Sequence, residues 1–290
     1  MYKNRRDFLR PAGRTCLIST LATASGVRAL PGRDTDVEPP PLSAIAMHRP
    51  NSTNSAALDV DLVRRIKAIS NAFEVGGSEP DYAYLEDLGD GRGYTVTQYG
   101  FCTYNDEVAR VIGRYARFVP DTDLKRFLPY MPPLAAGKQA PPPFPAAWRK
   151  EIARSEYLKI ACDEEADELY VRPALKVATS AGVQSAIGKS IFYDTWLQHG
   201  ASDDHDSLTA ILKRTIDETG GVNGSSETEF LRKFPAIRKA VLHEPANRAT
   251  REVWRASVQR VDALLRLLDT NQDLVPPIRV ANADVDVVVL

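Results

Sequence analysis

The sequence predicts a mainly α protein with one small β-sheet. Three observations carry this. After about residue 57, apolar residues recur every three or four positions through most of the chain, the period of amphipathic helices. One stretch, "YTVTQYGF" (94–101), breaks that period with β-branched and aromatic residues, which favour strands. The composition, 43% hydrophobic and 26% charged, is that of a globular chain with a sizeable core. Its 290 residues give room for one large domain or two small ones.

The N-terminus reads as an address rather than as part of that fold. It begins Met1-Tyr2-Lys3-Asn4-Arg5-Arg6-Asp7-Phe8-Leu9-Arg10. Two adjacent arginines, a spacer and Phe-Leu have the shape of a bacterial twin-arginine signal. The mildly apolar stretch Cys16 to Val27 is too short to span a membrane as a stable helix, and Val27-Arg28-Ala29 offers an A-x-A-like cleavage site. Residues 1–29 are therefore expected to export the protein from a bacterium, to the periplasm or beyond; the alternative is a basic disordered tail. Residues 30–56, rich in Pro, Ser, Asn and Asp and containing "EPPPLS", read as a flexible linker. That leaves 57–290 as the folded unit. No other segment approaches transmembrane length, so stable membrane insertion is not expected.

Export changes the charge. Six Lys/Arg and one Asp leave with the signal, so 31 basic residues then face 37 acidic ones, a net −6. Such a chain is a poor nucleic-acid binder and suits a cationic ligand, although the same balance serves solubility.

The elements follow in order. Leu62, Ile66, Ile69 and Phe73 step by four, three and four along one helix face. Gly76-Gly77 stops that helix and places Glu74 in or near its last turn. Residues 94–101 read as one or two short strands, and 106–117 return to helix. "PPLAAGKQAPPPFP" (132–145) reads as a proline-rich loop. Helices are expected over 146–162, 164–180, 183–199, 206–218, 228–243 and 250–268. There is no internal repeat. Cys16 leaves with the signal, while Cys102 and Cys162 can pair outside the cytosol or remain buried thiols. No Cys/His spacing fits zinc, and no metal or organic cofactor is expected.

The chemistry concentrates in "EVGGSEPDYAYLEDLGDGRGYT" (74–95), which carries six carboxylates around two glycine-rich turns. Glu74 at a helix end and Asp90 in a turn before a strand can face each other across a groove. Glycoside hydrolysis needs two such carboxylates, one protonated to donate to the leaving oxygen and one ionised to activate water or attack the sugar. The bland reading is a set of surface turn residues, since Asp-Gly turns are common. A second pattern concerns charges on apolar faces. Ile187 and Ile191 share a helix face with Asp194; Arg238 falls between Phe234 and Val241-Leu242; Arg260 flanks Val253, Leu264 and Leu267. Charges at such positions are rarely buried unless paired. They form either structural ion pairs or a network that touches a catalytic acid and sets its protonation.

These residues carry a family resemblance. "YAYLEDLGDGRGYT" with "GFCT", "FYDTWLQHG", "IRKAVL", "QRVD" and "NQDLVPP" run in family order from about Ala57 to the C-terminal region. Together they resemble the family 46 chitosanases, inverting endo-glycosidases with a largely helical, lysozyme-like fold of two lobes and a small sheet beside a substrate cleft. The resemblance implies Glu74 as general acid, Asp90 as general base and Thr95 as the hydroxyl that holds the attacking water. Asp194, Arg238 and Arg260 match the buried network that supports the acid. Arg92 matches loop and subsite support, and Asp106 an acidic substrate-binding position. Glu244 and His199 are further candidates for the cleft or its support. The implied substrate is chitosan or its oligosaccharides, whose ammonium groups suit an acidic cleft, and a monomer without cofactor is expected. The chain departs from the family pattern in a shorter stretch between Glu74 and Asp90 and a longer one between Arg238 and Arg260. A tryptophan expected near Pro80-Asp81-Tyr82 is absent. Two other readings stay open: a lysozyme-like enzyme acting on peptidoglycan or chitin, and an inactive carbohydrate-binding homologue.

Overall fold

The first helix forms where its caps dictate. In a computed structural model describing residues 59–87, 93–132, 140–202, 204–246 and 251–290, α1 spans Val60–Val75. The Asp59 carboxylate accepts the Leu62 N–H at 3.0 Å, satisfying one of the unpaired first-turn donors. Gly76 ends the helix at φ 73°, a left-handed conformation that disfavours any side chain, and donates to the Ala72 carbonyl. Leu62, Val63, Ile66, Ile69 and Phe73 are buried, and Glu74 lies in the last turn as the glycine pair predicts.

A three-stranded antiparallel sheet follows, β1 (Leu85–Asp87), β2 (Tyr94–Val96) and β3 (Phe101–Cys102), in that spatial order. Thr95 stands opposite Glu86 on one side and Cys102 on the other. Strand β1 was not expected from the sequence. Leu-Glu-Asp has weak strand propensity, and pairing with β2 decides its conformation.

The helices are α2 (Glu107–Tyr115), a 3₁₀ segment (Asp123–Tyr130), α3 (Pro143–Arg154), α4 (Glu156–Ala166) and, after a π turn at Asp167–Val171, α5 (Arg172–Ser180). Then come α6 (Ala186–His199), α7 (Leu208–Thr219), α8 (Glu227–His243), α9 (Arg251–Ala256) and α10 (Val258–Thr270). Two expected boundaries move. The helix expected over 146–162 breaks at Ser155, which adopts an extended conformation. The gap expected near residue 163 is absent, and the chain runs helically from Glu156 to Ser180. Pro173 in the first turn of α5 cannot donate to the residue four back, and the π turn immediately precedes it. A second sheet corrects the expectation of one. Strands β4 (Ile278–Ala281) and β5 (Asp286–Val289) form an antiparallel hairpin.

Two hydrophobic cores define two lobes. The first gathers α1, α5 to α8, α10 and the hairpin around Ile66, Ile69, Phe73, Ile191, Phe192, Phe234 and Leu264. The second gathers the sheet with α2, α3 and α4 around Phe101, Val111, Tyr115, Phe144 and Trp148. Tyr170 in the π turn packs against both. Cys102 and Cys162 are buried free thiols of the second core, which answers whether they pair. Among the described residues no helix is long and apolar enough to cross a membrane, and no cluster of His, Cys, Asp and Glu is suited to hold a metal. The expected signal and linker lie outside the described residues.

Candidate active site

Four helices each bring one charged group to the C-terminal end of α1. Glu74 comes from α1, Asp194 from α6, Arg238 from α8 and Arg260 from α10. Each of the last three sits on the apolar face of its own helix, so folding drags it inward with its neighbours. Asp194 and Arg238 are fully buried and Arg260 is 8% exposed. Burial of this kind is tolerable only when the charges answer one another.

They do so as a chain. Arg260 Nη1 donates to Glu74 Oε1 at 2.8 Å. The same guanidinium donates through Nε and Nη2 to Asp194 Oδ1, at 3.0 and 2.6 Å. Ser70, one turn before Glu74 on α1, donates to that Oδ1 at 3.1 Å. Arg238 Nη2 lies 2.8 Å from Asp194 Oδ2, an ion pair whose angle is not that of a directed hydrogen bond. Two carboxylates and two guanidiniums give a cluster of no net charge when Glu74 is ionised.

The electrostatics follow the partners. Burial pushes the Asp194 carboxyl up, but Arg260 and then Arg238 outweigh it and hold it below the usual carboxylate range. Arg260 gains more from Asp194 and Glu74 than burial takes away, so its guanidinium is held more firmly charged. Arg238 has only a share of Asp194; burial and the nearby Arg260 bring it down to about 10. It remains charged at neutral pH.

Behind Arg238 the chain ends on His199. Arg238 Nε donates to His199 Nε2 at 3.2 Å, and His199 Nδ1 lies 2.7 Å from the Asp206 carbonyl. Nε2 must accept, so the ring is neutral with its proton on Nδ1, donated to that carbonyl. Trp254 packs edge-on against the ring at 5.0 Å. Gln198 accepts from Arg238 Nη2 at 2.5 Å and donates to Ser257 at 2.6 Å. Burial first, and then Arg238, lower the His199 pKa from 6.5 to about 3. The unfolded ring takes a proton near 6.5 and the folded ring does not until about 3. Stability from this group is thus complete above 6.5 and lost as pH falls. Urea unfolding between pH 7 and 5 is expected to show a slope approaching about 1.4 kcal/mol per pH unit from this ring. His199→Gln is expected to flatten that slope.

The other expected site residues have other partners among the described residues. Thr95 is buried on β2, its Oγ1 3.8 Å from Cys102 Sγ. Asp106, half exposed before α2, pairs with Arg110, which also binds Glu165 at 2.6 Å. Glu244, exposed just after α8, pairs with Arg251 at 3.2 Å and Arg255 at 2.9 Å. Asp90 and Arg92 lie outside the described residues.

Sequence reasoning missed several supporting groups. Ser70 and Gln198 belong to the network, and Asn71 ties α1 to the second lobe. Asn71 donates to the Ser78 carbonyl at 2.9 Å and accepts from Gln98, which in turn accepts the Asp81 N–H at 2.5 Å. A signal for Ser70 and Asn71 existed, because they sit four and three residues before Glu74 and share its helix face. Gln198 carried none beyond its place beside His199.

Comparison with known proteins agrees with this architecture. The model of glycosyl hydrolase family 46 matches residues 68–278. A chitosanase from Bacillus subtilis (strain 168) is 38% identical over 233 residues, covering 78% of this chain and 84% of that protein. The crystal structure of native chitosanase from Bacillus subtilis MY002 superposes with a TM-score of 0.69 at 36% identity, covering 81% of this chain and all of that one. A Gynuella sunshinyii family 46 chitosanase in complex with chitotetraose superposes with a TM-score of 0.68 at 34% identity, over 81% and 99% of the two chains. The family model matches well over half of the chain and a chitosanase relative shares 38% of its residues, so the chain belongs to glycosyl hydrolase family 46.

Proposed function

We propose that this protein is an exported endo-chitosanase that cleaves β-1,4 bonds between glucosamine units with inversion. The observation that carries the reading is Glu74. It stands in the last turn of α1, its side chain 18% exposed, with one carboxyl oxygen fixed at 2.8 Å by a buried arginine. A carboxyl so placed is held in orientation yet reachable, as a general acid must be. In this reading protonated Glu74 donates to the glycosidic oxygen as the bond breaks. Asp90 takes a proton from water on the opposite face of the ring, and Thr95 orients that water. Space for the water requires carboxyl groups roughly 6.5–9.5 Å apart. Arg92 supports the loop that carries the base.

Substrate choice follows from charge. Asp106 and Glu244 are acidic groups suited to ammonium-bearing sugars, and each is paired with arginine. A glucosamine ammonium would compete with those arginines. Relatives support the substrate class: one solved neighbour is a mutant Bacillus subtilis MY002 chitosanase complexed with six GlcN units. The Arg5-Arg6 leader is the basis for export, and the working form is taken to be a monomer.

The test is proton NMR of the products released from highly deacetylated chitosan, with chitin and peptidoglycan in parallel. Inversion of a β bond must yield the α-anomer first, and Asp90→Asn is expected to lose about 10²–10⁴-fold in kcat. An initial β-anomer would overturn the inverting mechanism. Activity on chitin or peptidoglycan alone would overturn the substrate.

A further inference from the structure

The apolar face of α1 packs on the first core, while its polar face carries links to the second lobe. Lys67, Ser70, Asn71 and Glu74, at spacings of three, four and seven, share that polar face. Lys67 is the link the reaction scheme leaves unused. Its side chain is 12% exposed, and its ammonium reaches Asp163 Oδ1 at 2.9 Å and Asp167 Oδ1 at 3.1 Å. It also lies 5.4 Å over the Tyr99 ring.

Asp163, on α4, is where this link converges with two others. Its Oδ1 accepts from Lys67 and also from the Tyr99 hydroxyl at 2.6 Å; its Oδ2 accepts from the Tyr82 hydroxyl at 2.7 Å. The three donors come from three segments. Lys67 is on the acid-bearing helix, two turns before Glu74. Tyr82 precedes β1, and Tyr99 lies in the turn between β2 and β3. The protonation states suit the geometry. Burial and Asp163 hold both tyrosines protonated, and Asp163 with Asp167 outweighs burial to keep Lys67 charged.

We propose that Asp163 is a positioning residue for hydrolysis: by gripping Lys67 on α1 and Tyr82 and Tyr99 on either side of β1 and β2, it sets the spacing between Glu74 and the strand that carries Thr95. The proposal rests on Glu74 being the acid. An inverting site has to keep acid, sugar and water in register, and a displacement of about 1 Å can cost about 10²-fold in rate. A carboxylate with charge-assisted bonds to both sides of the site is a stiff way to keep that register.

The test is steady-state kinetics on glucosamine hexamer, below the melting temperature, for wild type, Asp163→Asn, Lys67→Met, the double variant, Tyr82→Phe and Tyr99→Phe. Asp163→Asn is expected to lower kcat about 10–100-fold with KM within about twofold. The double variant should fall no further than Asp163→Asn alone, because both changes cut one link. The two Phe variants should lower kcat in the same direction and by less. Unchanged kcat in folded Asp163→Asn overturns the proposal. So does a loss carried by KM, which would mean that this carboxylate, 36% exposed, holds a sugar ammonium itself. If Asp163→Asn fails to fold, unchanged kcat in both Phe variants overturns it. Wild type inactive on the hexamer, or Glu74→Gln fully active, would remove the underlying reading and the proposal with it; either is seen without any Asp163 variant.

Discussion

Glu74→Gln is expected to lower kcat on chitosan by about 10²–10⁴-fold while the protein stays folded. The amide keeps the size of the side chain, and its carbonyl can still accept from Arg260, which holds Glu74 Oε1 at 2.8 Å. What it lacks is a proton to give to the departing sugar oxygen. KM should change little, since the loss lies in the transition state rather than in substrate binding. Glu74→Asp retains the proton but pulls it back by one methylene, so it should also lose activity and retain more than the amide. Reducing-end release read beside a thermal melt checks both. Wild-type rates in folded Glu74→Gln would place the acid elsewhere.

Asp194→Asn is expected to have the largest effect on stability. Asp194 is fully buried and faces two guanidiniums, Arg260 at 2.6 Å and Arg238 at 2.8 Å. The amide leaves Arg238 inside the protein without its counter-charge and Arg260 with Glu74 alone. Breaking a buried pair by removing one partner costs about 3–5 kcal/mol. For a domain of this size that lowers Tm by roughly 6–20 °C. The pH dependence gives a second check. The folded carboxyl is held below its ordinary value, so its stabilisation is complete above about pH 4 and lost as pH falls through the folded pKa. The Tm gap between wild type and variant should therefore narrow in acid. Asp269→Asn is the control: it removes an exposed ion pair with Arg232 and should shift Tm by less than about 2 °C. Activity should also fall in Asp194→Asn, even where it is folded, because Arg260 loses the group that orients it toward Glu74.

The site was legible in the sequence wherever a local pattern met a chemical requirement. Gly76-Gly77 fixed the end of α1, and with it the place of Glu74, because a left-handed stop is a local event. Asp194, Arg238 and Arg260 announced themselves as charges on apolar helix faces, since periodicity alone predicts burial. Their mutual distances were not legible, because they lie on three helices whose packing no local rule determines. The same limit hid strand β1, whose residues favour no strand until β2 pairs with them. The β4–β5 hairpin was missed for another reason: alternation in "IRVA" and a β-branched run in "DVVV" were present, but such short segments carry little weight until Ile278, Val280 and Val289 are seen in the first core.

By itself the sequence determined that the protein is mainly helical, that Glu74, Asp90 and Thr95 stand in the order the family resemblance implies, on a shorter stretch than the family pattern, and that three charges on apolar helix faces must find partners. Composition, helix stops and periodicity act over a few residues, and a chain records them directly. Tertiary structure alone decided which charge meets which: that Arg260 rather than Arg238 holds Glu74, that His199 is neutral and closes the chain, and that Asp163 joins the acid helix to the sheet across 96 residues of sequence from Lys67. Those pairings arise from packing, where burial makes every charge choose a partner and the geometry of the helices decides which one is within reach.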